Sequence, residues 1–366
     1  MKGEFKHFFP GGNTSKGFYS FYRYILPQET ARRIICIKGG PGTGKSSLMK
    51  RVGQYFNEKG YDIEYHHCSS DNTSLDGVVI KELNVALLDG TSPHVVDPIN
   101  PGAVDEILNM GDCWIESGFK DYRSSIISTN KQVGKKFKHA YRYIGASRLI
   151  HDDWSSYNSE ALNASKLNNL QERLKNDLFK NTDVSIAANS RHLFATAFTP
   201  NGIVTFIDSI YKDYKHVYVL NGGPGTGKTS TLQYLYKKAL KRGLYVEVYH
   251  DPLVPERIEH ICIPNLSTAI LTSNEINERS FAGNQINMED LQNKILIDRN
   301  KAEIEKAKEN FNLLLNKGLK LISEAKALHD ELEKYYIPNM DFDKVEKTIN
   351  DVITKILKYE KEYKNK

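Results

Sequence analysis

The spacing of apolar residues along the chain changes several times, and each change marks an element. RRIICIKGG is a short β-branched run of the kind that forms a buried parallel strand. SSLMKRVGQYF, which follows, switches to helical spacing at Leu48, Val52 and Phe56. The same order returns later, with HVYVLNGG leading into TSTLQYLYKKAL and its apolar Leu232, Leu235 and Leu240. IEYHH and ELNVALLDG read as further strands. From Met288 to Tyr336 a seven-residue rhythm sets in, with Ile297, Ile304, Phe311, Ala325 and Leu332 on one line and Ala307, Leu314, Leu321, Leu328 and Tyr335 on its companion. Gly318 interrupts the first line. Helical throughout, this stretch would extend about 73 Å. Pro338 ends it, and Val345, Ile349, Val352, Ile356 and Leu357 form the inward face of a returning helix, so an antiparallel helical hairpin is expected. A weaker version, with Gly134 and Gly145 and with Trp154 and Tyr157 near its turn, precedes the second strand–helix unit.

The two units are related by a constant offset. The glycine-rich loops lie 222 − 39 = 183 residues apart, and the same shift places Gly60 on Gly243, Glu64 on Glu247, His67 on His250 and Ala86 on Ala269. ASRLIHDDW, with His151 and Asp152, matches EAKALHDEL, with His329 and Asp330, at 329 − 151 = 178. The chain therefore reads as two copies. Residues 1–181 form the first, with a helical arm over about 104–180, and residues 182–366 form the second, with a helical hairpin over about 288–364. They join near Asn181 to Asn189. The expected fold class is α/β, a duplicated P-loop fold with a parallel sheet flanked by helices, each copy extended by a helical hairpin.

The loops carry the most specific chemistry. GxxxxGK[ST] between a strand and a helix is the phosphate-loop pattern. In the first copy it comprises Gly39, Gly40, Pro41, Gly42, Thr43, Gly44, Lys45, Ser46 and Ser47; in the second, Gly222, Gly223, Pro224, Gly225, Thr226, Gly227, Lys228, Thr229 and Ser230. The glycines let the backbone wrap and aim N–H groups at a phosphate where a helix begins and its dipole is positive. Lys45 and Lys228 reach β- and γ-phosphate oxygens, and the Ser46 and Thr229 hydroxyls hold Mg2+.

The copies differ beyond the loops. ELNVALLDG ends in Asp89, the pattern of an acid that orients Mg2+ and its waters, whereas the 183-residue shift puts Thr272 there. A neutral hydroxyl lacks the carboxylate charge, so the first loop is expected to hydrolyse and the second mainly to bind. An apolar strand ending in Asp is also a common turn signal, and Asp251 or Glu259 are alternative acids for the second copy. Asp71 and Asp76 are read as acid/base or water-positioning candidates lost in the second copy, at Val254 and Glu259. His67, repeated as His250, is read as a hydrogen-bonded strand-end residue.

Composition narrows the class. Hydrophobic content of 40% and charged content of 26% are those of a globular protein. The N-terminal MKGEFKHFFPGGN lacks a signal-peptide core, and no apolar run reaches the roughly 20 residues of a membrane span, so the cytosol is expected with no membrane partner. Cys36, Cys68, Cys113 and Cys262 show no paired spacing and read as free thiols. The net charge of +5 is mild, but no acid lies between Asp121 and Asp152, where Arg123, Lys131, Lys135, Lys136, Lys138, Arg142 and Arg148 cluster. That run is read as a solvated helix face, a lid whose arginines clamp a phosphate, or, least favoured, a nucleic-acid contact.

HFFPGGNTSKGFYSFY, RHLFATAFTPNGIVTFID, the two loops and HHCSSDNTSLDGVVIKELNVALLDGTSPHVVDP together resemble the tandem P-loop ATP-binding proteins of clostridia and bacilli, a group of ATPases with no settled substrate. The likeness covers essentially the whole chain. It implies the fold and nucleotide binding, with ATP and Mg2+ as cofactors; P-loop relatives more broadly imply Lys45, Ser46 and Asp89 as the catalytic set. The leading expectation is an ATPase whose helical arms transmit the change to a protein partner or substrate. A nucleotide or small-molecule kinase, taking a phosphate acceptor, and an ATP-gated scaffold with little turnover are the alternatives. No LSGG-type signature or NKxD run supports an ABC-type ATPase or a GTPase.

Overall fold

The structure is a computed structural model that describes residues 2–91, 96–180 and 182–364. The first residue of the expected joint, Asn181, and the 92–95 stretch of the last resemblance segment lie outside the described residues, as do the final two residues.

The first half contains β1 (Phe5–Phe8), a hairpin of β2 (Gly11–Thr14) and β3 (Gly17–Ser20), β4 (Arg33–Lys38), α1 (Lys45–Glu58), β5 (Ile63–Cys68), β6 (Asp71–Ile80), β7 (Val85–Asp89) and β8 (Asp105–Asn109). Two helices follow, α2 (Arg123–Glu160) and α3 (Ala164–Leu178). The second half contains β9 (Ser190–Leu193), a hairpin of β10 (Thr196–Thr199) and β11 (Gly202–Thr205), α4 (Ile207–Tyr211), β12 (His216–Asn221), α5 (Lys228–Leu240), β13 (Val246–His250), β14 (Ile258–Ile263), β15 (Thr268–Ser273) and β16 (Asn284–Asn287). It ends in α6 (Lys294–Arg299), α7 (Lys301–Tyr336) and α8 (Phe342–Lys364).

Each half builds a six-stranded sheet, in the order β1-β5-β6-β7-β4-β8 and, read from the corresponding edge, β9-β13-β14-β15-β12-β16. The sheets are mixed, which corrects the expectation of a parallel sheet: β6 and β14 run antiparallel to both neighbours. Only two residues, Ser69 and Ser70, separate β5 from β6, and a parallel return needs a crossover of a dozen or more. The loop-bearing strands keep their parallel neighbours, β4 beside β7 and β12 beside β15. The registers agree with the 183-residue offset, since Ile37 pairs with Asp89 and Leu220 with Thr272.

The helical arms depart from the expected hairpins. α7 does not fold back on α8; it runs antiparallel along α2. Lys136 of α2 pairs with Glu324 at 2.5 Å, Ile144 meets Gly318, and the His151 ring lies 5.3 Å from that of Phe311. The seven-residue rhythm is real, but its partner is in the other half: Phe311, Gly318, Ala325 and Leu332 are all buried, and α2 presents Val133, Ala140, Ile144, Ser147, His151 and Trp154 at matching spacing. Gly318 therefore belongs to the contact line instead of interrupting it. A Cβ there would stand 2.8 Å from Ile144 Cγ1, so the missing side chain sets how closely the helices approach. The predicted run also breaks at Asn300, leaving α7 with 36 residues, about 54 Å.

Beyond the helix pair, the arms exchange. α8 places Val345, Ile349, Val352 and Ile356 in the core of the first half, against Leu48, Val52 and Phe56 of α1. α3 places Leu167, Leu170 and Leu174 in the core of the second, against Leu232 and Leu235 of α5. Each fully buried Val, Ile or Leu is worth about 1.5–3 kcal/mol, so neither core is complete without the other half's arm. A buried ion pair crosses the same junction: Arg191 of β9 holds Glu64 of β5 through two bonds of 2.9 and 2.6 Å. Among the described residues no helix is long and apolar enough to cross a membrane.

Candidate functional site

Each glycine-rich loop leaves the end of the strand next to the sheet edge, β4 or β12, and enters a helix through a glycine in left-handed conformation, Gly44 at φ +83° and Gly227 at φ +92°. A side chain would be strained at either position. Lys45 and Lys228 are the first residues of their helices, so the backbone N–H groups of the first turn face the loop. Thr43 Oγ1 donates to Gly40 O, and Thr226 Oγ1 to Gly223 O, both at 2.9 Å. Lys45 Nζ donates to Gly39 O at 3.1 Å and Gly40 O at 2.7 Å, and Lys228 Nζ does the same to Gly222 and Gly223.

The exchanged arms roof these loops at corresponding positions. A Cβ on Gly40 would stand 2.7 Å from Tyr336 Cε1, and one on Gly42 2.9 Å from Ile337 Cγ1. On the second loop Ser155 O crowds Gly225, Leu167 crowds Gly227, and Asn158 Nδ2 donates to Pro224 O at 2.7 Å. Tyr336 and Asn158 are equivalent under the 178-residue offset, so one loop is roofed by an aromatic ring and the other by an amide.

In the first site Asp89 lies 3.6 Å from Lys45 Nζ, with both side chains largely buried. The Asp89 carboxylate also accepts from Thr91 N at 2.8 Å. Ser46 Oγ accepts from Leu75 N at 3.0 Å. Asp71 is occupied in the β5–β6 turn, accepting from Thr73 Oγ1 at 2.7 Å and Ser74 Oγ at 2.9 Å, with Lys326 of α7 at 3.5 Å. Burial works against its ionisation, but the Thr73 and Ser74 hydroxyls and Lys326 prevail and hold the carboxyl below its ordinary value. Asp76 is buried and accepts from Tyr22 Oη at 2.5 Å. The strand registers put Glu259 at its counterpart position, so the carboxyl read as lost in the second half is retained one methylene longer.

The second loop opens onto a cavity of about 380 Å³, lined by Pro224 to Ser230 of the loop, by Asp251, Glu259, Thr272 and Glu275 at strand ends, and by His151 and Ser155 of α2. Thr272 Oγ1 is committed to Glu259 O at 2.9 Å. Its neutrality does not leave the site without acids. Burial, reinforced by the nearby Asp251 charge, pushes the Glu259 carboxyl up to about 8. Burial likewise raises Asp251, whose carboxylate accepts from Leu253 N at 2.7 Å and Val254 N at 3.0 Å. Glu275 is the opposite case: burial opposes its charge, yet the hydrogen bond from His151 and the Lys228 charge outweigh it and hold the carboxyl at about 2. Burial lowers the Lys228 ammonium, and the acids around it work against that.

His67 is tied within its own half to His7 Nδ1 at 2.8 Å and to Asn72 O at 3.0 Å, and His250 to His192 Nδ1 at 2.8 Å, while each ring also packs across the junction, His67 4.4 Å from the Phe206 ring and His250 4.4 Å from the Phe21 ring. Of the repeated His-Asp pair, His151 lines the cavity of the second loop. Glu275 and the roofing residues Tyr336 and Asn158 have no signature in the sequence; the His151/His329 repeat was the available signal for that region. The basic run lies along α2, where Lys131, Lys135, Lys138 and Arg142 are exposed on one flank and Arg148 pairs with Asp152 at 3.4 Å. All four cysteines are free and buried. Comparison with family models, curated proteins and solved structures finds no match to this chain.

Proposed function

We propose that the chain is a duplicated P-loop protein that binds ATP with Mg2+ at both loops and hydrolyses it. The observation that carries the reading is the paired loop geometry: strand end, left-handed glycine, lysine at the first helical residue, twice, beside a parallel strand. Lysines whose hydrogen bonds go to loop carbonyls can exchange them for phosphate oxygens, and helix N-termini favour anions. The residues fit a magnesium nucleotide, because Mg2+ on phosphates needs one or two protein oxygens and not a full cage. Bound Mg2+ would neutralise phosphate charge. Ser46 with Asp89, and Thr229 in the second site, would hold it.

Turnover is assigned to the first loop, where Asp89 stands beside Lys45 and can orient a metal-bound water. A second reading, turnover at the second loop, is favoured by Glu259, a buried carboxyl on the cavity wall raised to about 8, whose ionised form, populated as pH rises toward that value, can accept a proton from water. Phosphate release by the unaltered protein, Lys45→Ala and Lys228→Ala separates the two. Loss only in Lys45→Ala supports the first reading and loss only in Lys228→Ala the second; release unaffected by either substitution rules out hydrolysis at these loops.

A further inference from the structure

The cavity of the second loop is lined in part by a residue of the other half. His151 is 2% exposed on α2, and its Nε2 lies 2.5 Å from Glu275 Oε1. Glu275 Oε2 is buried and finds no hydrogen-bond partner among the described residues. A carboxylate fixed through one oxygen, with the other shielded from solvent and unsatisfied, is an acceptor prepared for a donor that arrives with the ligand. The arm's architecture does not require this arrangement. The equivalent His329 on α7 faces Glu333 of its own helix at 3.7 Å, and its Nδ1 is buried with no hydrogen-bond partner among the described residues.

We propose that His151 is a positioning residue that makes the second site selective for a nucleoside triphosphate over a diphosphate. The inference rests on the reading of the second loop as a nucleotide site. The loop and Lys228 cradle the phosphates; His151 and Glu275 line the same cavity, with the Glu275 carboxylate near enough to Lys228 for the ammonium charge to act on it. Only a ligand with a terminal phosphate brings its ordered water and Mg2+ to Glu275 Oε2. A diphosphate leaves that oxygen unsatisfied. His151 fixes the Glu275 carboxylate through Oε1, and because it belongs to α2, occupancy by a triphosphate is felt directly by the helix that packs along α7.

The test uses full-length Lys45→Ala protein, in which the second loop is the intact one, titrated calorimetrically with MgATP and with MgADP. Adding His151→Ala is expected to weaken MgATP by about tenfold or more, the scale of a hydrogen bond to a charged group, while MgADP stays within about twofold. His151→Gln, which restores a donor, is expected to recover most of the ATP preference. Glu275→Gln should produce the same loss as His151→Ala, with no further loss in the double variant. An unchanged ATP to ADP ratio in His151→Ala overturns the inference while leaving nucleotide binding intact. Equal weakening of both nucleotides, or failure of His151→Gln to restore the ratio, reduces His151 to a packing role and also overturns it. No uptake of either nucleotide by Lys45→Ala protein contradicts the nucleotide reading of the second loop, and the inference with it.

Discussion

Phe9 and Phe194 exchange backbone hydrogen bonds, each N–H donating to the other's carbonyl at 3.0 Å. They occupy matching places, each just past the edge strand of its own sheet, β1 or β9. Contacts further out are also reciprocal. Trp114 bridges to Met340 and Leu162 to Gln292, pairs that interconvert under the 178-residue offset. The halves are thus joined at a central antiparallel contact and again at each exchanged arm, so a change at one loop has a covalent and packed route to the other.

The exchange predicts where stability is stored. Ile349 and Ile356 of α8 are nearly inaccessible in the core of the first half. Replacing either by Ala should cost about 2–5 kcal/mol. Hydrogen exchange should quicken in α1 while α5 keeps its protection. Loss of protection in α5 alone would contradict the exchanged arrangement.

The α2–α7 contact predicts two glycine substitutions of opposite sign. Gly318→Val inserts bulk where even a Cβ would stand 2.8 Å from Ile144 Cγ1, and should destabilise by about 1–3 kcal/mol in urea titration. Gly134→Ala, on the exposed side of α2 with nothing within 4 Å, should stabilise by about 0.5–1 kcal/mol.

The acids of the second cavity predict a pH dependence. Burial first, and Asp251 second, raise Glu259 from its ordinary 4.5 to about 8, so the folded state retains a proton that the unfolded chain releases. Stability should therefore fall as pH rises from about 4.5 toward about 8. Glu259→Gln should flatten that decline when urea midpoints are compared at several pH values in the window. Glu275 acts in a separate range, since its depressed pKa contributes stability above 4.5 that is lost as pH falls toward about 2. A decline identical with and without Glu259 would refute the assignment.

Much of this was legible in the chain. The loops, their flanking strands and helices, and the offset of the two halves are local patterns of a few tens of residues, written in glycine positions and apolar spacing. The seven-residue line through Phe311 and Leu332 correctly marked a helix that packs along another, but periodicity names a face and not the partner that covers it. The returning face of Val345 and Ile349 was likewise read correctly and assigned to the wrong neighbour, because a helix hairpin and an exchanged arm bury the same residues. The parallel sheet failed at the Ser69–Ser70 turn, where two residues decide strand direction. The alternative acids Asp251 and Glu259 do line the cavity of the second loop, while Glu275, which joins them there, has no signature in the sequence.

The central claim is that both loops hold a magnesium nucleotide, and the most direct measurement is the stoichiometry of MgATP binding by calorimetry for the unaltered chain, Lys45→Ala and Lys228→Ala. Two nucleotides per chain are expected in the first and one in each variant. Binding that neither lysine substitution changes, or a chain that takes up no nucleotide, would contradict it.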